Sequence, residues 1–262
     1  MKHRDEPKRT GETQGEAAAT QKRTAVVTGG ARGIGRACCE KLLSMGYGVV
    51  ILDVDDDAAG DFLAQAGEVD LHYLHCDVAR FAIVREVSEA IFQRFDRITV
   101  VVNNAGIQTH CLLVDMTEEL WEETMAVNLT SAFAMCRHFV PHMIESGFGR
   151  IVNIASMSAR RGSRLHTHYC ASKAGLVGFT RALSMEVARY GVTVNAICPG
   201  IVDTLMIQET LAEKRSVWLA EMHVKRLGMP EDIANALEFL VRDESSWISG
   251  QALDVNGGIL TP

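Results

Sequence analysis

Two kinds of pattern alternate along the chain. Short runs that are apolar on consecutive positions occur at 24–28 (TAVVT), 48–53 (GVVILD), 98–102, 150–155 and 192–197, with a weaker run at 69–76 and a last short one at 252–255. Between them lie longer stretches with apolar residues three and four apart, near 56–66, 81–95, 168–189, 211–223 and 231–241. The first kind reads as buried strands and the second as amphipathic helices. Thr117, followed by Glu118 and Glu119, is a helix N-cap that opens a long helix towards Glu145. Pro230 marks the first turn of another helix. Strands apolar on both faces, alternating with helices, predict an α/β fold: a doubly wound, mostly parallel seven-stranded sheet covered by helices on both faces, in a single domain.

In such folds ligands bind beyond the carboxyl ends of the strands, so strand-end residues carry the functional reading. The first strand runs into Gly29, Gly33 and Gly35, spaced G-x-x-x-G-x-G, and then into a helical pattern. A tight exit from the strand, a bare backbone and close helix–strand packing would let a pyrophosphate sit on the helix N-terminus. Asp53 ends the second strand, 18 residues beyond Gly35. A carboxylate there accepts both hydroxyls of an adenosine ribose and repels a 2′-phosphate, which predicts NAD. Arg32, inside the glycine loop, could pair with a 2′-phosphate and leaves NADP open. Asn103, Asn104, Ala105 and Gly106 follow the fourth strand, where small residues leave room for a flat ring and amides can hold a loop.

Ser156 ends the fifth strand, and Tyr169 and Lys173 follow one helical turn apart. A phenol ionises near pH 10, so use as a base at neutral pH requires roughly 4 kcal/mol of phenolate stabilisation. A cation about 4 Å away supplies energy of that order at an effective dielectric near 20. Lys173, helped by the positive charge of an oxidised nicotinamide, is the expected source.

Composition narrows the classes. With 47% hydrophobic and 23% charged residues, a net charge of −7 and a pI near 5.7, the chain is a poor candidate for nucleic acid. No apolar run approaches membrane-spanning length. The seven cysteines form no C-x-x-C pair and read as reduced thiols, which suggests the cytoplasm. His138 and His142 are one turn apart without an acidic or cysteine companion and read as helix-surface residues, so no metal is expected. Residues 1–22 are polar and charged and are expected to form a flexible tail, neither signal nor transit peptide, ahead of a dinucleotide-binding and catalytic domain at 23–262.

From Thr24 onward the chain resembles a short-chain dehydrogenase/reductase. The resemblance rests on Thr28-Gly29, Gly33-Ile34-Gly35, Asp77-Val78, Asn103-Asn104-Ala105-Gly106, Asn128 in VNLTS, Ser156, Tyr169 to Lys173, Asn195, Pro199-Gly200 with Thr204, and Ser249-Gly250-Gln251. It implies Tyr169 as general acid/base, Lys173 lowering its pKa and binding the nicotinamide ribose, Ser156 on the substrate oxygen, and Asn128 holding a relay water. Asp77 and Val78 would contact adenine, and Asn104, Ala105 and Gly106 would border the adenosine side. Pro199, Gly200, Val202 and Thr204 would flank the nicotinamide and its phosphate. The helices at 117–145 and 168–189 would pack against other copies in a homotetramer.

Hydride transfer between NAD(H) and a secondary alcohol or ketone is the leading expectation. An NADPH-dependent 3-oxoacyl-thioester reductase is the alternative, and a non-catalytic dinucleotide sensor a third. The segment between Ser156 and Tyr169 should edge the substrate pocket through Met157, Arg164 and His166. Arg160, Arg161 and His168 lie in the same basic stretch, which could recognise an anionic group. Residues 201–220 are expected to form a lid with Leu205, Met206 and Ile207 as apolar contacts.

Overall fold

The computed structural model describes residues 22–261. Its elements follow in the order β1 (Thr24–Thr28), α1 (Gly33–Ser44), β2 (Gly48–Asp53), α2 (Asp56–Ala66), β3 (Leu71–His75), α3 (Phe81–Arg94), β4 (Ile98–Asn103), α4 (Glu118–Met125), α5 (Ser131–Ser146), β5 (Gly149–Ile154), α6 (Ser158–Arg161), α7 (Thr167–Val187), β6 (Val192–Pro199), α8 (Gln208–Glu221), α9 (Pro230–Val241) and β7 (Ala252–Val255). The seven strands form one parallel sheet in the order β3-β2-β1-β4-β5-β6-β7. The order reverses between β1 and β4, which opens a crevice at their carboxyl ends.

Strand alternation sends side chains to two cores. Ala25, Val27, Val49, Ile51, Val100 and Val102 pack with α1, α2 and α9 through Cys38, Leu42, Phe62, Ile233 and Leu237. Val26, Val50, Leu52, Val101 and Ile151 pack on the other face with α3 and α5 through Val84, Ile91, Met135, Phe139 and Met143. A wholly buried side chain such as Phe139 contributes about 1.5–3 kcal/mol, so these two layers dominate the fold. Cys38, Cys39, Cys76, Cys136 and Cys198 are buried and all seven cysteines are free. Burial pushes the Cys38 thiol up to about 12 and that of Cys76 to about 11, which makes both poor nucleophiles. His142 stacks on Phe92 with ring centroids 3.7 Å apart.

Two expectations meet limits. The anticipated tail lies outside the described residues except for Lys22, whose ammonium pairs with Asp70 at 2.8 Å. The long helix after Thr117 runs on to Ser146 but is not regular: Thr117 caps α4 by accepting from the Leu120 amide, and one wide turn with π-type hydrogen bonding, Ala126–Thr130, joins α4 to α5. Such a turn takes in an extra residue, which apolar spacing alone does not reveal. None of the described helices is long and apolar enough to cross a membrane.

Candidate active site

The glycine loop between β1 and α1 is fixed from two sides. Asp53, at the end of β2, accepts from the Ala31 amide with one carboxylate oxygen and from the amides of Val54 and Asp55 with the other. Asn104, just past β4, donates to the carbonyls of Thr28 (3.0 Å) and Gly29 (2.8 Å). The Thr28 hydroxyl accepts from the amides of Asn104 and Ala105. Gly29 is in the left-handed region at φ 63°, and a Cβ on Gly35 would lie 2.0 Å from the Gly29 carbonyl oxygen. These contacts explain the glycines by backbone sterics alone. Helix α1 starts without a capping side chain and without an acid in its first turn. Its first amides therefore remain available to an anion.

Beyond the strand ends lies a cleft of about 880 Å³. Its walls include Gly29, Arg32, Gly33, Ile34, Gly35, Asp53, Asp77, Val78, Asn104, Ala105, Gly106, Pro199, Gly200, Val202 and Thr204, and also Ser156, Met157, Arg164, His166, Tyr169 and Lys173. Every cofactor residue anticipated from sequence is among them. Leu205, Met206 and Ile207, with Lys214 and Trp218 of α8, line it too. Arg32 is held 2.6 Å from Asp55. The Asp77 carboxylate accepts from the Ala79 amide.

Asn128 sits behind this wall, in the π turn, and is buried. Its Oδ1 accepts from the Ile107 amide at 2.8 Å, and its Nδ2 donates to the Ile107 carbonyl and the Ser172 hydroxyl. The side chain is spent on clamping the loop after β4, so a relay water would need another acceptor.

Ser156 lies two residues beyond β5, and Tyr169 and Lys173 come from α7; all three are buried. Ser156 Oγ accepts from the Ser158 amide, which starts α6. Lys173 Nζ donates to the Ile154 carbonyl at 2.9 Å and lies 5.9 Å from the centre of the Tyr169 ring. The expected lowering of the phenol by Lys173 is not what the protein alone displays. Burial raises the Tyr169 pKa, with the nearby Ser156 hydroxyl pulling the other way. Burial also lowers Lys173, to about 8. The physical reason is desolvation, which penalises both charged forms.

Lys173 therefore carries a buried charge at pH 7 whose folded-state pKa is below its unfolded value. That penalty is complete below about pH 8 and fades as pH rises towards 10.5, the ordinary value for a lysine. Lys173→Met is expected to stabilise the fold at pH 7 by about 1–3 kcal/mol. The gain over the parent should shrink between pH 8 and 10.5, read as the difference in Tm across that range. A gap that is constant in pH would mean the lysine is not desolvated as described.

The basic stretch after Ser156 divides. Arg160 turns away, pairing with Asp254 and donating to the Ala252 carbonyl. Arg161 lines the cleft but pairs with Glu221, and Arg164 lines it exposed. His168 is fully buried with Nε2 on the Thr109 hydroxyl, outside the cleft. Sequence reasoning missed His110 on the cleft wall, which comes from a loop that no periodic signal marks. Ser163, Thr210, Lys214 and Trp218 also line it, inside the two stretches expected at the pocket but not singled out there.

A parallel sheet with its glycine loop at the reversal point and a serine–tyrosine–lysine group on the same cleft defines a dinucleotide-dependent oxidoreductase. The family model for enoyl-(acyl carrier protein) reductase matches residues 29–260. The 3-oxoacyl-(acyl-carrier-protein) reductase FabG of Chlamydia trachomatis is 38% identical over 240 residues, 90% of this chain and 97% of that protein. The FabG of Escherichia coli K12 is 37% identical, with 90% and 96% covered. Among solved structures, gox2181 superposes with a TM-score of 0.88 at 30% identity, covering 91% of this chain and 96% of that one. A variant of actinorhodin polyketide ketoreductase with NADPH gives 0.86 at 32% identity, covering 91% and 97%. The chain belongs to the short-chain dehydrogenase/reductase family and is an NAD(P)-dependent oxidoreductase.

Proposed function

We propose that the chain transfers a hydride between a nicotinamide cofactor and the carbon of a secondary alcohol or ketone, with Tyr169 as the proton carrier. The observation that carries this is the cleft shared by Ser156, Tyr169 and Lys173 with the glycine loop. The open first turn of α1 and the backbone approach at Gly35 fit a bound dinucleotide. The bound cofactor supplies the carbon that gives or accepts hydride. In reduction the Tyr169 hydroxyl gives its proton to the substrate oxygen, and in oxidation it takes that proton back. Ser156 Oγ holds the oxygen in place. Lys173 orients the ribose and refills the proton on Tyr169, and a positive ligand charge beside the phenol offsets the burial that raises it. Asn128 serves the relay through its main chain, since its amide group is engaged with Ile107 and Ser172.

For the substrate, the ketone of a 3-oxoacyl thioester has the better support, because curated relatives covering 90% of the chain carry that activity in their names. A broader alcohol or polyol dehydrogenase is the second reading. For the cofactor the support divides. Asp53 at the end of β2, with Arg32 already committed to Asp55, favours NAD(H). The ketoreductase neighbour with NADPH favours NADP(H).

A panel of 3-oxoacyl thioesters, ketones and alcohols assayed with both cofactors at 340 nm tests the whole reading; no hydride transfer with any pair would refute it. Asp53→Ala is expected to raise the NADPH-to-NADH ratio of kcat/KM roughly tenfold, since removing the charge lifts a repulsion of about 1–2 kcal/mol. An unchanged ratio would show that Asp53 does not set the choice.

The buried, unpaired cysteines support a reducing compartment, and we place the enzyme in the cytoplasm. Exposed Trp121 and Phe133 on the α4–α5 segment and exposed Met185 on α7 support a homotetramer built through those helices.

A further inference from the structure

One polar group on the cleft wall is left without a partner. His166 lines the cleft beside Tyr169, with ring centroids 6.4 Å apart, and is only 6% exposed. Its Nδ1 is 2.9 Å from the Ser163 hydroxyl, whereas its Nε2 is buried and bonded to nothing. Burial, with His110 and His168 nearby, lowers its pKa to about 4, so the ring is neutral at pH 7. His110 packs edge-on against it at 4.5 Å. The preceding residue, Leu165, is in the left-handed region at φ 69°, and its carbonyl accepts from the Cys111 amide. A leucine in that conformation is strained, and the Cys111 bond helps to keep it there, just ahead of His166 at the head of α7. His168 also has an unpartnered nitrogen, but that residue does not line the cleft.

A buried ring nitrogen without a partner is disfavoured unless one arrives with the ligand. We propose that His166 Nε2 hydrogen-bonds a second oxygen of the substrate, near the reacting carbon, and thereby selects ketones carrying that oxygen over plain ketones. The oxygen is a carbonyl when Nε2 holds the ring proton and a hydroxyl when Nδ1 does. An uncharged ring suits either oxygen and does not supply the cation that an anionic group would seek, so the basic character of this segment rests on Arg161 and Arg164 alone. This deepens the ketone reading above and rests on it. The 3-oxoacyl ester carbonyl is one group of the required kind.

Three ligands of equal length test it: a ketone with an ester carbonyl two carbons away, one with a hydroxyl there, and one with neither. In the parent, at least one oxygenated ketone should exceed the plain ketone in kcat/KM. His166→Phe should shrink that advantage roughly tenfold, mainly through KM, and His166→Gln should restore most of it. A purely structural role would depress all three ligands alike and leave the ratios standing, which overturns the proposal. Calorimetric titration of the same ligands into cofactor-loaded protein reads the contact without turnover. If the parent turns over nothing yet the Kd ratio falls in His166→Phe, the Tyr169 reading fails and the His166 contact stands. A Kd ratio within twofold of the parent's overturns the contact whatever the turnover.

Discussion

Tyr169→Phe is expected to lower kcat/KM by about 10²–10⁴-fold while cofactor still binds. The variant deletes one oxygen from a buried ring on α7 and leaves Ser156, Lys173 and the glycine loop untouched. Its thermal midpoint should move little, because the ring keeps its packing and loses only an interaction with Ser156. Fluorescence titration with the reduced cofactor separates the two effects: Kd near the parent's, turnover nearly gone. Turnover within tenfold of the parent would show that the proton travels by another group. The pH profile adds a second check. Burial raises the phenol in the free protein and lowers Lys173 to about 8, so kcat/KM for alcohol oxidation should climb across the alkaline range. Oxidation needs the deprotonated carrier, and the free protein holds it protonated at pH 7.

Gly35→Ala is expected to impair cofactor binding by a different route. The added methyl would sit 2.0 Å from the Gly29 carbonyl oxygen and 2.5 Å from Asn104 Nδ2. The first is backbone, and the second is already committed to the carbonyls of Thr28 and Gly29, so neither can give way cheaply. The first turn of α1 must separate from the loop, with a cost of about 1–3 kcal/mol or more in stability. Dinucleotide affinity should fall at least tenfold in titrations at a temperature where the variant is folded. Parent-like affinity with a lowered Tm would confine the glycine's role to packing.

Much of the fold was legible because each strand is buried on both faces. A continuous apolar run such as VVIL in β2 has no polar position to disguise it, and its neighbours on both sides are helices with three-to-four spacing. Strand ends followed, and with them Gly29, Asp53, Asn104 and Ser156, all of which line the cleft. Three features escaped. The four-residue helix Ser158–Arg161 is too short for periodicity to register. Burial dominates the electrostatics of Tyr169 and Lys173 in the free protein, which spacing could not show, since it reports that two groups are neighbours and says nothing about how much water they lose. His110 reaches the cleft from a loop, where three-dimensional closure rather than local pattern decides what faces inward.

The wide turn at Ala126–Thr130 makes the α4–α5 segment a matter of counting as well as of chemistry. Each residue of a helix advances its faces by about 100°, so restoring a regular helix there by deleting one residue would swing everything downstream by that angle. Ala134, Met135, Phe139 and Met143 would leave the sheet, and half-exposed neighbours would take their place. The numbering of this helix is thus locked to the sheet at one end and to the Asn128 clamp at the other. A lineage of this chain can exchange the exposed side chains along it, but it can lose or gain a residue only where a loop absorbs the difference.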